Sequence, residues 1–154
     1  MSTRAPAVSR QIPKEPSLQR VGLYSRVSTE DQTDRGTIKG QRDFLTNFAQ
    51  LYGLEVSGEY VDDGFSGTLP LGDRPDGRRL LEDANQGRFG VVLVYRLDRL
   101  GRSLSALLEA NAALEALGVT IRSATEPFDT STPIGRFLFQ LLGSLAELEK
   151  STIS

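Results

Sequence analysis

Apolar residues change their spacing several times along the chain, and each change marks an element. Val21, Leu23 and Tyr24 form a short run of residues suited to a pleated strand. They predict a first strand over 21–26, then a polar loop over 28–36. From 37 to 52 the spacing becomes helical: Phe44, Leu45, Phe48, Leu51 and Tyr52 share one face, and Gly53 stops the helix. Leu54, Val56 and Tyr60 alternate with polar residues, the pattern of a half-buried strand. A long polar loop is expected over 62–77, and Leu80, Leu81 and Ala84 mark a short helix ending near Gly87.

The run over 91–95 is the most apolar in the chain, as expected of a central strand covered on both faces. A helix over 103–117 follows, with Leu104, Leu107, Leu108, Leu114 and Leu117 on one stripe. Gly118 ends it, and a short strand is expected over 119–121. Ser103 and Ser105 read as capping residues. The last element opens at Ser131, with Thr132 as its cap and Pro133 as its first helical residue. Ile134, Leu138, Leu141, Leu142, Leu145 and Leu148 make its stripe, with Phe137 and Phe139 off the centre. So apolar a helix is buried either in its own domain or against a partner chain. It has no stop signal before Ser154 and is expected to run on.

Strand and helix alternate, so the expected class is α/β: a mainly parallel four- to five-stranded sheet with helices on both faces. Three segments are expected: a flexible arm over 1–20 with Pro6, Pro13 and Pro16, an α/β domain over 21–130, and the long C-terminal helix over 131–154.

Composition narrows the chemistry. At 154 residues the chain fits one domain. It has no cysteine, which removes disulfides and thiolate metal sites, and no histidine, which removes Ser-His-Asp catalysis. The net charge of −2 leaves no general attraction to nucleic acid, so a DNA role needs a local basic site or another domain. No apolar run approaches the ~20 residues of a membrane span, and the first twenty residues hold no secretory h-region. These features suit the cytosol.

If extended backbone continues past 26, Arg26 and Ser28 share one side. An arginine fork can hold a phosphate while a hydroxyl attacks it. The alternative is a strand that merely ends in polar residues. Arg26 with Ser28, Asp63, and Asp98 with Arg99 each follow a predicted strand. In a parallel sheet such positions meet beyond the carboxyl ends, where ligands bind.

YSRVS over 24–28, DGFSG over 63–67, DRP over 73–75 and RLDRLGR over 96–102 resemble the serine recombinases: resolvases, invertases and, above all, the large serine integrases. The likeness covers about 21–154 in order. It implies a resolvase-like catalytic domain with a C-terminal oligomerisation helix. It also implies site-specific cutting and rejoining of DNA through a covalent 5′-phosphoserine, with no metal or other cofactor. Ser28 falls on the nucleophile; Arg26, Arg74, Arg99 and Arg102 match the family's arginines, and Asp98 its acid. Asp98 would orient the arginines or carry a proton, and the general acid and base stay undecided. Gln32, Gln41 and Asp63 match positions near the scissile phosphate, although a turn before Gly64 also accounts for Asp63. Glu149 and Lys150 fall where relatives carry Glu-Arg, a structural or DNA-contact pair. The implied partners are double-stranded DNA and copies of the chain itself, as a homodimer and a synaptic homotetramer through the last helix, with no membrane. Two rivals stand beside this reading. A receiver-type signalling module would want an acidic cluster after the first strand, and a plain oligomerisation module would leave the rim arginines unexplained.

Overall fold

The computed structural model describes residues 18–29 and 35–153. Four parallel strands form one sheet in the order β2-β1-β3-β4: β1 (Arg20–Val27), β2 (Glu55–Asp63), β3 (Val91–Val94) and β4 (Thr120–Ser123). Among them run α1 (Arg35–Leu51), a 3₁₀ turn (Leu71–Asp73), α2 (Pro75–Asn85), α3 (Leu97–Leu100), α4 (Leu104–Ala116) and α5 (Pro133–Ile153). The parallel α/β class is therefore as expected, with four strands.

β1 and β3 are the inner strands, and alternation along them divides the core. Val21, Leu23, Val91 and Leu93 meet Leu45 of α1 on one face. Tyr24, Val92 and Val94 meet α2 and α4 on the other, through Leu80, Ala84, Leu107 and Leu114. Leu45 and Ala49 are the buried apolar positions of α1, whereas Leu51 is 78% exposed and Tyr52 also lies outside. The helical face expected there was one turn too long: Tyr52 lies against Phe48 and Arg122 of β4 and stays half-exposed. Gly53 (φ +66°) and Gly118 (φ +76°) stop α1 and α4 in the left-handed conformation that glycine adopts without strain.

Three boundaries differ from the pattern. β1 already begins at Arg20. The loop expected to last until 77 ends at Pro75, the first residue of α2, with proline in the position where its missing N–H costs nothing. Between Leu97 and Leu100 the RLDRLGR stretch makes its own helical turn.

α5 starts as expected: Thr132 Oγ1 accepts from Gly135 N at 3.0 Å, and Pro133 is its first residue. Its two apolar faces are distributed differently. Phe139 is buried against Phe128, and Leu142 packs on the same core. Phe137 instead joins Ile134, Leu141, Leu145 and Leu148 in an exposed stripe spaced by three and four residues. Among the described residues no helix is long and apolar enough to cross a membrane.

Candidate active site

β1 outlasts β3. Its pairing with β3 stops at Tyr24↔Val94, but its pairing with β2 continues to Val27↔Asp63. The Arg26 backbone therefore lacks a strand on its β3 side. Gln41 of α1 supplies one from its side chain: Arg26 N donates to Gln41 Oε1 at 3.3 Å, and Gln41 Nε2 donates to Arg26 O at 3.2 Å. Gln41 is buried, and its amide is spent on this backbone. Arg99 Nη1 also donates to Arg26 O, at 3.3 Å.

The Arg26 side chain turns inward and is only 2% exposed. Its Nε donates to Arg99 O at 2.8 Å, Nη2 to Asp98 O at 2.8 Å and Nη1 to Phe65 O at 3.0 Å. It thus satisfies carbonyls of α3 that the turn itself leaves unpaired. Arg74 is wholly buried. It donates to Leu69 O at 2.8 Å, Gly67 O at 3.3 Å and the Tyr24 hydroxyl at 3.0 Å. Burial, and then the Arg74 charge, pull the Arg26 guanidinium below its ordinary pKa.

The DGFSG loop passes through this cluster at Gly67. A Cβ there would come within 2.6 Å of both Arg26 Nη2 and Arg102 Cβ. Gly67 O also accepts from Arg102 N at 2.9 Å. Arg26, Arg74 and Arg102 therefore meet around one glycine. The Arg102 side chain is exposed. Asp98 is half-exposed, with its carboxylate 3.4 Å from Arg96 Nη2 and 3.5 Å from Arg99 Nε.

Ser28 follows directly. β1 ends at Val27, so strand alternation does not extend to Ser28. Ser28 is buried, and its Oγ has no hydrogen-bond partner among the described residues. A buried hydroxyl left unsatisfied is costly and uncommon, and it marks a group kept for something other than packing.

Asp63 lies exposed at the end of β2, before the positive-φ Gly64 (φ +95°), whose N–H donates to Val27 O at 2.8 Å. Gln32 lies outside the described residues, as does the side chain of Lys150. Ser103 caps α4 by accepting from Ala106 N at 3.0 Å, and Ser105 is exposed on that helix. Among the described residues no three His, Cys, Asp or Glu side chains gather as a metal site.

Two residues of the cluster, Asp62 and Tyr24, are given no role by the motifs. Asp62 is buried, and its carboxylate accepts from Tyr24 Oη at 2.8 Å, Asp76 N at 2.8 Å and Gly77 N at 2.9 Å. It holds the N-terminal end of α2 and, through Tyr24, the Arg74 guanidinium. Its signal was parity: Asp62 is two residues past the inward Tyr60, and Asp63 points the other way. Burial holds the Tyr24 phenol protonated well above its ordinary range, so it serves here as a hydrogen-bonding strut.

The family model for the resolvase N-terminal domain matches residues 21–154. The serine recombinase gin of Escherichia phage Mu is 38% identical over 130 residues, covering 84% of this chain and 60% of that protein. A probable DNA-invertase of Sinorhizobium fredii is 41% identical over 140 residues, covering 90% of this chain and 41% of that protein. The chain thus spans 41% to 60% of the length of these relatives. Among solved structures, the N-terminal catalytic domain of TP901-1 integrase matches with a TM-score of 0.76 at 35% identity, over 87% of this chain and 98% of that one. The chain belongs to the resolvase family of serine recombinases and corresponds to its N-terminal domain.

Proposed function

We propose that this chain is the catalytic domain of a site-specific recombinase that cuts and rejoins duplex DNA through Ser28. The observation that carries the reading is the buried Ser28 hydroxyl, unpartnered among the described residues, two residues past an arginine that is itself locked in place. In the proposed step Ser28 Oγ attacks the phosphorus and the bond from phosphorus to the 3′ oxygen breaks. One proton passes in net from the serine to the leaving 3′ oxygen. The 5′-phosphoserine so formed keeps the energy of the broken bond, and the reverse attack by a 3′ hydroxyl rejoins the strand.

Phosphoryl transfer of this kind is mainly positioning and charge stabilisation. Arg99 and Arg102 supply charge at the phosphoryl oxygens; Arg26 and Arg74 frame the site and add to its positive potential. Asp98 orients Arg99 or carries the proton in this scheme. Gln41 acts by holding the Arg26 backbone. Gln32 and Asp63 are assigned to the DNA strand beside the phosphate. The reading needs no metal ion or other cofactor.

The exposed stripe of α5 supports assembly of copies through that helix, as dimers on each site and a tetramer joining two sites. Residues 21–130 form the reacting unit in this scheme and 131–154 the assembly helix; the arm expected over 1–20 lies, up to residue 17, outside the described residues. The substrate places the work in the cytoplasm of a bacterial host.

The test uses the full-length protein on a target duplex carrying a nick, in the presence of a chelator. A protein–DNA adduct mapped to Ser28, and lost in Ser28→Ala, is expected. Cleavage that persists in Ser28→Ala, or an adduct on another residue, overturns the reading.

A further inference from the structure

α3 carries Asp98 and Arg99, yet it is only four residues long, Leu97–Leu100. A helix so short does not hold itself together. Its carbonyl end is gripped by Arg26. At its other end Arg96 occupies the cap position and makes no capping hydrogen bond with its side chain. The Leu97 N–H donates instead to Glu126 Oε1, at 2.8 Å, across 29 residues of sequence. The same oxygen accepts from Ser123 Oγ at 2.9 Å, which fixes the carboxylate against β4. Neighbouring bonds close the joint: Ala124 N donates to Val94 O at 2.8 Å, and Thr125 Oγ1 to Tyr95 O at 2.6 Å.

We propose that Glu126 is a positioning residue for strand cleavage. Held by Ser123, its carboxylate anchors the N-terminal end of α3 and so fixes where Asp98 and Arg99 stand. A carboxylate suits this place, because the N–H end of a helical turn carries partial positive charge. With that anchor gone, the N-terminal end of α3 keeps only the packing of Leu97 and Leu100, and the turn that carries Asp98 and Arg99 can shift. A displacement of about 1 Å at a reacting centre can cost roughly 100-fold in rate. The segment from Glu126 folds back on β4 through Ser123 N to Phe128 O and Thr130 N to Ile121 O, both 2.9 Å, and then enters α5. Glu126 therefore sits on the stretch that joins the arginine-bearing turn to the long helix.

The catalytic half of this proposal rests on the recombinase reading; the anchor does not. Glu126→Met keeps the side-chain length and removes the acceptor, whereas Glu126→Gln keeps a carbonyl acceptor. In Glu126→Met, amide hydrogen exchange at Leu97 is expected to quicken by about tenfold. Adduct formation by the intact recombinase should slow about tenfold at unchanged DNA affinity. Glu126→Gln should stay within about threefold of wild type in both. Unchanged Leu97 exchange in Glu126→Met overturns the anchor. Faster exchange at an unchanged adduct rate, or a Gln variant as slow as the Met variant, overturns the positioning role. If Glu126→Met does not fold, Ser123→Ala frees the carboxylate without removing it. It should then change both readouts by about threefold, and no change in either overturns the proposal. Wild-type protein that forms no adduct sinks the recombinase reading instead, while the exchange result still decides the anchor.

Discussion

The end of β1 and the outward face of α5 break the same rule in opposite directions. At the end of β1, charged groups lie inside: Arg26 is 2% exposed and Arg74 0%. Along α5, apolar groups lie outside: Ile134 is 64% exposed and Leu148 59%. The first departure is resolved within the chain. The carbonyls of Phe65, Gly67, Leu69, Asp98 and Arg99 take the guanidinium donors. A carbonyl satisfies a donor without cancelling its charge, so the cluster is hydrogen-bonded and still cationic. Such a rim can attract an anion without being rebuilt to receive it. The second departure has no internal remedy, since exposed leucines are relieved only by another apolar surface. One region is complete in itself, and the other asks for company.

The largest expected effect strikes the complete region. Gly67→Ala drives a methyl group between Arg26 and Arg102. Adduct formation should fall by about 100-fold or more, measured on nicked duplex. A near-normal rate would show that the arginines tolerate movement and that the cluster is looser than its bonds suggest. Arg74→Met removes both guanidinium donors from the Leu69 carbonyl and one of the two donors from the Gly67 carbonyl. It should cost roughly 3 kcal/mol in urea unfolding of this chain. Unchanged stability would mean that the carbonyl cage does not hold the loop.

The stripe should respond in the reverse manner. Leu141→Glu with Leu145→Glu should leave the stability of the single chain within about 1 kcal/mol, as exposed substitutions do. Self-association should be lost in sedimentation experiments. A large loss of stability would show that this face is already buried within its own domain. The smallest effect is alkaline. Burial raises the Tyr24 and Tyr60 phenols, the latter aided by its hydrogen bond to Asp83, so in the folded chain both keep their protons past the ordinary value of about 10. Unfolded chain loses those protons near that value, so stability should fall as pH rises above about 10. Absorbance titration should show two of the four tyrosines ionising in step with unfolding, and Tyr24→Phe should remove one of them.

Periodicity made the elements legible because it reports burial on one face at a time. It gave the run over 91–95 as an inner strand and Thr132 as a cap, and both stand. It failed where burial depends on another element. Leu51 and Tyr52 repeat at helical spacing but stay exposed, and Tyr52 lies against Phe48 and Arg122 of β4 without being covered. Phe139 packs inward because Phe128 lies beneath it, a contact made across a loop. The motifs pointed to the arginines of the cluster, but not to which of them are buried. A charge in the core runs against every local rule, and the carbonyls that make it tolerable come from two separate segments, 65–69 and 98–99. Asp62 stayed hidden beside Asp63 until the parity of β2 was known. Gln41 was matched to a place beside the scissile phosphate, because nothing local says that β3 ends early and that its amide is taken up by the Arg26 backbone.

That early ending has a practical consequence. The last turn of the scaffold beside Ser28 is completed by one primary amide, not by main chain. Deamidation of Gln41 would put an oxygen where a nitrogen donates to Arg26 O, turning an attraction into a repulsion. Stored or aged preparations carrying that single chemical change should lose potency while still looking folded, so batch-to-batch quality is best followed by mass spectrometry of this one peptide.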